Sequence, residues 1–145
     1  MKRLIFVLLI VGVGLLIPFL QFSSQTSFQT IGTMDALRQL KLEARTSAAT
    51  LDPVSLKREL PWEVLISARL HAKGTVLPER AVQLDLAQVS PRLCRALVQD
   101  ITSQMAEDLW QKLEVNGQNV TGQPDAAARK ALCEGTVTLA VYFRI

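Results

Sequence analysis

His71 is the only histidine in a chain of 145 residues, so any Ser/His/Asp or Cys/His nucleophilic set would have to be built on it. It stands beside a Lys73-Gly74 turn signal, and no G-x-S-x-G occurs anywhere. It therefore reads as an ordinary surface or strand-end residue. Glu107 and Asp108 are adjacent, which on a helix sends them to different sides and disfavours a carboxylate pair sharing one substrate. Cys94 and Cys133 lie 39 positions apart, each alone in its segment. Nothing resembles C-x-x-C, and with a single histidine a tetrahedral zinc site has no support. Gly117, Gly122 and Gly135 are scattered turn glycines, not a phosphate loop. Asp35, Asp52 and Asp125 read as helix-start residues. Asn119-Val120-Thr121 matches the N-glycosylation triplet, a pattern that arises often by chance. No catalytic residues, cofactor, metal or small-molecule substrate are expected.

The strongest signal is an address. Met1-Lys2-Arg3 is followed by 17 uncharged residues from Leu4 to Leu20. A run of this length can just cross a hydrocarbon core of about 30 Å as a helix. Its apolar members are Leu4, Ile5, Phe6, Val7, Leu8, Leu9, Ile10, Val11, Leu15, Leu16, Ile17, Phe19 and Leu20. Residues 1–22 are expected to be a single-pass anchor in a bacterial inner membrane. The leading cations stay cytoplasmic and the remaining chain lies in the periplasm. A cleaved secretory signal is the alternative, although no A-x-A-like site follows Leu20. Setting aside Lys2 and Arg3 leaves 14 cations against 13 anions. That balance, with few aromatic residues, gives no basic patch dense enough to suggest nucleic acid. Lys57-Arg58 and Arg129-Lys130 read as solvated faces. In an exported domain the default for an isolated cysteine pair is a disulfide, Cys94–Cys133; two buried free thiols are the alternative.

The elements follow from periodicity. Residues 23–49 form a stem: a polar, uncharged stretch to Thr30, then Ile31, Met34, Leu37, Leu40 and Ala44 at three- and four-residue steps. These are the stem's expected packing residues, with Arg38, Lys41, Glu43 and Arg45 on the other side. Asp52-Pro53 is expected to open a short helix, VSLKREL, that Pro61 stops. Trp62 to Leu70 is ambiguous between strand and helix. Residues 82–89 alternate as a half-buried strand. Ser90-Pro91 is the clearest helix start, with serine as cap and proline in the first position, for a helix over 91–109. Asn116-Gly117 supplies the positive φ angles of a tight hairpin within 113–121. A short helix over 124–132 and a strand over 136–143 complete the chain, and Trp62 and Trp110 read as core. The fold class is α+β. A long N-terminal helix ending near Ala49, either continuous from the membrane or jointed at the Ser/Thr-rich residues 23–30, packs on the antiparallel sheet of the 50–145 domain, with strands near 64–70, 82–89, 113–121 and 136–143. Helix 91–109 packs on the same core.

Four stretches together resemble the type IVb pilins and their minor pilins: LDLAQVSPRLCRALV, LEVNGQNV, ALC and VTLAVYFRI, in this order. The resemblance covers residues 62–145 and the general form of the N-terminus. It implies a hydrophobic helix that anchors the subunit and continues as the spine of the domain, a sheet, and a disulfide enclosing a C-terminal region. It also implies work by subunit contact, with other pilins or inner-membrane assembly-platform proteins as partners. The family's leader and its glutamate after the cleavage glycine have no counterpart, since no acidic residue precedes Asp35. The expectation is therefore a minor-pilin-like structural or assembly subunit of a type IV pilus or related machine. The alternative is an uncleaved inner-membrane component of a secretion or conjugation apparatus with only a pilin-like fold.

Overall fold

The computed structural model describes residues 26–46 and 56–145. The Leu4–Leu20 anchor segment, Asp52 and the far end of the stem lie outside the described residues. Residues 26–46 are helical throughout and form α1. Its inward stripe is Thr30, Thr33, Met34, Leu37, Leu40 and Ala44, all buried. Ile31 departs from the expected packing set. Each three-residue step falls about 60° short of a full turn, so two such steps back from Leu37 carry Ile31 about 120° off the stripe. It is 64% exposed. Thr30 and Thr33 take the inward places, and each hydroxyl donates to the carbonyl four residues back at 2.7 Å, which satisfies it in the apolar setting. Asp35 also corrects its reading as a helix start. It lies mid-helix and pairs with Arg38 at 3.4 Å, because the helix extends well before it.

The apolar side of α1 is covered by a six-stranded antiparallel sheet. In chain order the strands are β1 (Lys57–Glu59), β2 (Leu65–His71), β3 (Ala81–Val89), β4 (Lys112–Val115), β5 (Gln118–Asn119) and β6 (Val137–Arg144). In space the order is β1-β2-β3-β6-β4-β5. The final strand is thus inserted between β3 and β4. Register sets which face is apolar: Ile66 pairs with Leu86, Leu86 with Leu139, and Leu139 with Val115. A second apolar row runs through Ala68, Leu84, Val141 and Leu113. With a side-chain period of two, the rows between point away from the helices.

Helix α2 (Pro91–Ala106) contributes Leu93, Leu97 and Ile101 to the same core as Met34, Leu37 and Leu40. Ser90 caps it, its hydroxyl accepting from the Leu93 N–H at 3.3 Å. The helix ends three residues before Leu109. Asp108 adopts φ +61°, which turns the chain and sends Trp110 into the core against Phe143. Asn116 and Gly117, at φ +50° and +80°, make the expected hairpin between β4 and β5. Helix α3 (Ala126–Leu132) is capped by Asp125, whose carboxylate accepts from the Ala128 N–H at 2.8 Å.

The helix expected for VSLKREL is overturned within its described residues. Lys57–Glu59 is an edge strand, Lys57 opposite Ser67 and Glu59 opposite Leu65. A seven-residue helix has little drive of its own. Pairing with β2 satisfies the same backbone groups, and it sets Arg58 against Glu43 of α1 at 2.7 Å. The Trp62–Leu70 ambiguity resolves as a turn followed by β2.

Cys94 of α2 and Cys133, directly after α3, are joined by a disulfide with Cα atoms 5.7 Å apart. The bond closes a loop whose chain entropy is worth about 4 kcal/mol. Replacing Cys94 and Cys133 together by serine is expected to lower stability by up to about that amount, read as a lower melting temperature. Identical melting of the native chain with and without reductant would remove the bond from this account.

Candidate functional site

The stem helix is the element on which the functional reading turns, and three contacts fix its orientation. Trp62, in the turn before β2, lies across the helix. Its indole Nε1 donates to Thr33 Oγ1 at 3.1 Å, and its ring meets Phe28 edge-on at a centroid distance of 6.1 Å. Gly32 makes this approach possible: a Cβ there would stand 2.5 Å from the indole's far edge. Arg58 pairs with Glu43 near the other end of the described helix. Lys41 donates Nζ to the Leu109 carbonyl and lies 4.6 Å from the Trp110 ring centroid. Burial pushes the Lys41 ammonium below its usual 10.5, Arg45 acts in the same direction, and Asp108 opposes them.

With one side buried, α1 presents another to solvent. Phe28, Ile31 and Leu42 are 70%, 64% and 64% exposed. On a helical wheel they fall within about 60° of one another, on the far side from Leu37, and they span about 21 Å of helix. The Asp35–Arg38 pair lies between them. This is an apolar face with a polar middle. It is the kind of surface that packs against a second helix or a lipid tail.

The outward face of the sheet is polar and internally satisfied. His71 Nε2 is 2.8 Å from Gln83 Oε1, Gln83 donates to Asp85 at 2.6 Å, and Arg69 pairs with Asp85 at 2.7 Å. Tyr142 donates to Glu114 at 3.3 Å, and Lys112 pairs with the same carboxylate at 2.9 Å. His71 therefore stands at the end of β2 as a cross-strand hydrogen-bonding residue beside Gln83 and the Tyr142 ring. Glu107 and Asp108 do not converge either; Asp108 is held by Arg144 at 2.6 Å. Among the described residues, no group of three or more His, Cys, Asp or Glu is placed to hold a metal ion. Among the same residues, no helix is long and apolar enough to cross a membrane.

No known family profile matches the sequence, and no curated protein does. A solved structure does match: the type IVb pilin from Salmonella typhi, with a TM-score of 0.52 and 17% identity, over 83% of this chain and 93% of that one. The fold is that of the type IVb pilins. At this identity the likeness speaks for the fold alone. It matches the layout of a helical spine, an antiparallel sheet and the disulfide-bounded C-terminal region.

The structure brings Met34, Leu37 and Leu40 together in the core and excludes Ile31. It joins Cys94 to Cys133. Gly32 and Trp62 form a clamp that periodicity does not reveal, since a glycine inside an apolar stripe reads only as a weak helix position. The two residues stand 30 positions apart, so no local pattern joins them.

Gly32→Ala tests the clamp. Helix propensity alone would stabilise the variant by about 1 kcal/mol. Displacing the indole costs its hydrogen bond and overpacks the contact, together about 2–4 kcal/mol. The expected net loss is about 1–3 kcal/mol in chemical denaturation, with a shifted Trp62 indole N–H resonance; a more stable variant would show that the indole is not seated there. Tyr142 offers a second measurement, because it is the chain's only tyrosine. Burial first, then the Glu114 charge and hydrogen bond, push its hydroxyl up from 10.0 to about 12. In that interval the folded chain keeps a proton that the unfolded chain gives up. This group's stabilising contribution is thus full below pH 10 and declines as pH rises toward about 12. An ultraviolet phenolate titration of the folded protein is expected to have its midpoint near 12, and a midpoint at 10 would contradict the Tyr142–Glu114 geometry.

Proposed function

We propose that this chain is a membrane-anchored, pilin-like structural subunit that works by contact with other subunits, as a minor component of a type IV pilus or related secretion or conjugation machine. The observation that carries the reading is the two-faced stem. One side of α1 is committed to the domain's own core, while Phe28, Ile31 and Leu42 remain in solvent on the other. Exposed apolar side chains aligned over several turns have a physical use when another helix or an acyl chain covers them. The pilin fold supports the first, and the uncharged Leu4–Leu20 segment upstream supports the second. On this reading the stem emerges from the bacterial inner membrane, the domain lies in the periplasm, and other pilins or inner-membrane assembly-platform proteins are the partners. The function needs no catalysis.

A second reading is favoured by one observation, the absence of any acidic residue before Asp35. A subunit without an early carboxylate has no group to neutralise a neighbour's terminal amine inside the membrane. Such a chain fits an uncleaved inner-membrane component that keeps the pilin-like shape without entering a filament.

Photo-crosslinking side chains placed at Ile31 and Leu42 in the native host are expected to capture pilin subunits, while the same group at Thr75 does not. Capture of transporter subunits alone favours the second reading. Equal yields from all three positions would overturn the assignment of the stem face as the contact surface. The intact mass of the recovered chain separates a retained N-terminus from a processed one.

A further inference from the structure

Arg92 and Arg95 rise from the first two turns of α2, and Arg129 and Lys130 from the last turn of α3. All four line one recess of about 440 Å³ between the two helices. Ala96 and Ala126 give the recess its depth, since each side chain ends at Cβ. No carboxylate and no aromatic ring lines it. Among the described residues, no ion pair joins Arg95, Arg129 or Lys130 to a carboxylate. Arg129 donates to the Pro124 carbonyl at 2.8 Å, which orients the guanidinium without neutralising it.

This arrangement works against local electrostatics. Like charges at helical spacing repel. The first turn of α2 contains no acidic residue, so Arg92 sits at the positive end of the helix dipole. Helix α3 buries none of its own residues. What keeps its two cations facing those of α2 is the Cys94–Cys133 bond, directly after α3 and within the first turns of α2, together with Leu132, half-buried against the core. The covalent link holds these charges together, and a bound anion would neutralise Arg95, Arg129 and Lys130.

The chemistry selects phosphate. Three of the four cations are arginines, whose planar fork matches phosphate oxygens in pairs. The size selects one group. Tracking a nucleic acid takes about 6–10 phosphate contacts and is aided by aromatic stacking, and the recess has neither. The position selects the source. Ser90 and Pro91, which open α2, border a neighbouring pocket together with Gln29 of the stem. Gln29 stands nine positions after Leu20, at most about 31 Å of chain even fully extended. The recess thus belongs to the end of the domain from which the stem leads toward the Leu4–Leu20 segment.

We propose that the α2–α3 recess binds the phosphate of an anionic phospholipid headgroup on the membrane the stem enters, so that the disulfide-bounded region is seated on the lipid surface. This rests on reading Leu4–Leu20 as an anchor. The test uses the full chain in nanodiscs of phosphatidylcholine alone or with added phosphatidylglycerol. Hydrogen exchange is read at the amides of residues 126–133. Phosphatidylglycerol is expected to slow this exchange about tenfold at tenfold excess over its Kd. The Arg92→Gln/Arg95→Gln/Arg129→Gln/Lys130→Gln variant, which removes four like charges and keeps the Cys94–Cys133 bond beside them, is expected to fold and shows no such change. Four results overturn the proposal: no protection, equal protection in the variant, equal protection by millimolar inorganic phosphate, or stronger protection by a short DNA duplex. If the chain fails to enter any nanodisc, the anchor reading fails separately. The recess is then tested on vesicles. Binding to phosphatidylglycerol but not phosphatidylcholine vesicles, abolished in the variant, supports it, and absence of binding ends it.

Discussion

A helix of 3.6 residues per turn cannot bury all of its sides against one sheet, and the structure is organised around that constraint. Leu37 and Leu40 commit one side of α1 to the core. The antiparallel sheet offers an apolar inner face wide enough to cover that side and α2 together. What remains outward on α1 carries Phe28, Ile31 and Leu42 around the Asp35–Arg38 pair. The same geometry that stabilises the domain therefore leaves exposed the stem face proposed for subunit contact. Trp62 sets the angle of the helix at one end and Arg58 and Lys41 hold it near the other, while Phe28, which the indole meets only edge-on, Ile31 and Leu42 stay exposed.

The rest of the domain divides its labour between burial and covalent restraint. The central strands need no staple. β3 and β6 pair over most of their lengths, and their inward rows are buried. Helix α3 is different, because it has no fully buried residue and only Leu132 packs half-buried against the core. There the Cys94–Cys133 bond supplies the order, and it does so without asking the side chains to be apolar. That freedom lets a strongly basic recess exist in a chain whose overall charge is nearly balanced. The outer sheet face shows the opposite solution, where charges of both signs satisfy one another across strands.

Much of this was legible in the linear chain. Ser90-Pro91 and Asn116-Gly117 marked a helix start and a hairpin through backbone rules that act locally, so tertiary context had little to override. The cysteine pairing followed from an expected compartment. Three readings failed because local preference was weak. Lys57–Glu59 took strand pairing over a short helix once β2 was beside it. Asp35 read as a start only while the helix was assumed to begin near Ile31. Ile31 matched a three-residue repeat whose drift about the axis the pattern did not count.

The order of residues alone determined most of the elements, the apolar leading segment and the single plausible disulfide, because each depends on neighbours in the chain or on residue counts. Tertiary structure alone decided which side of the stem is free, since that depends on where the sheet and Trp62 lie. It alone inserted β6 between β3 and β4. It alone gathered Arg92 and Arg95 with Arg129 and Lys130, pairs more than thirty positions apart. Proximity in space between distant segments is set by the packing of the whole core, and no local pattern encodes it.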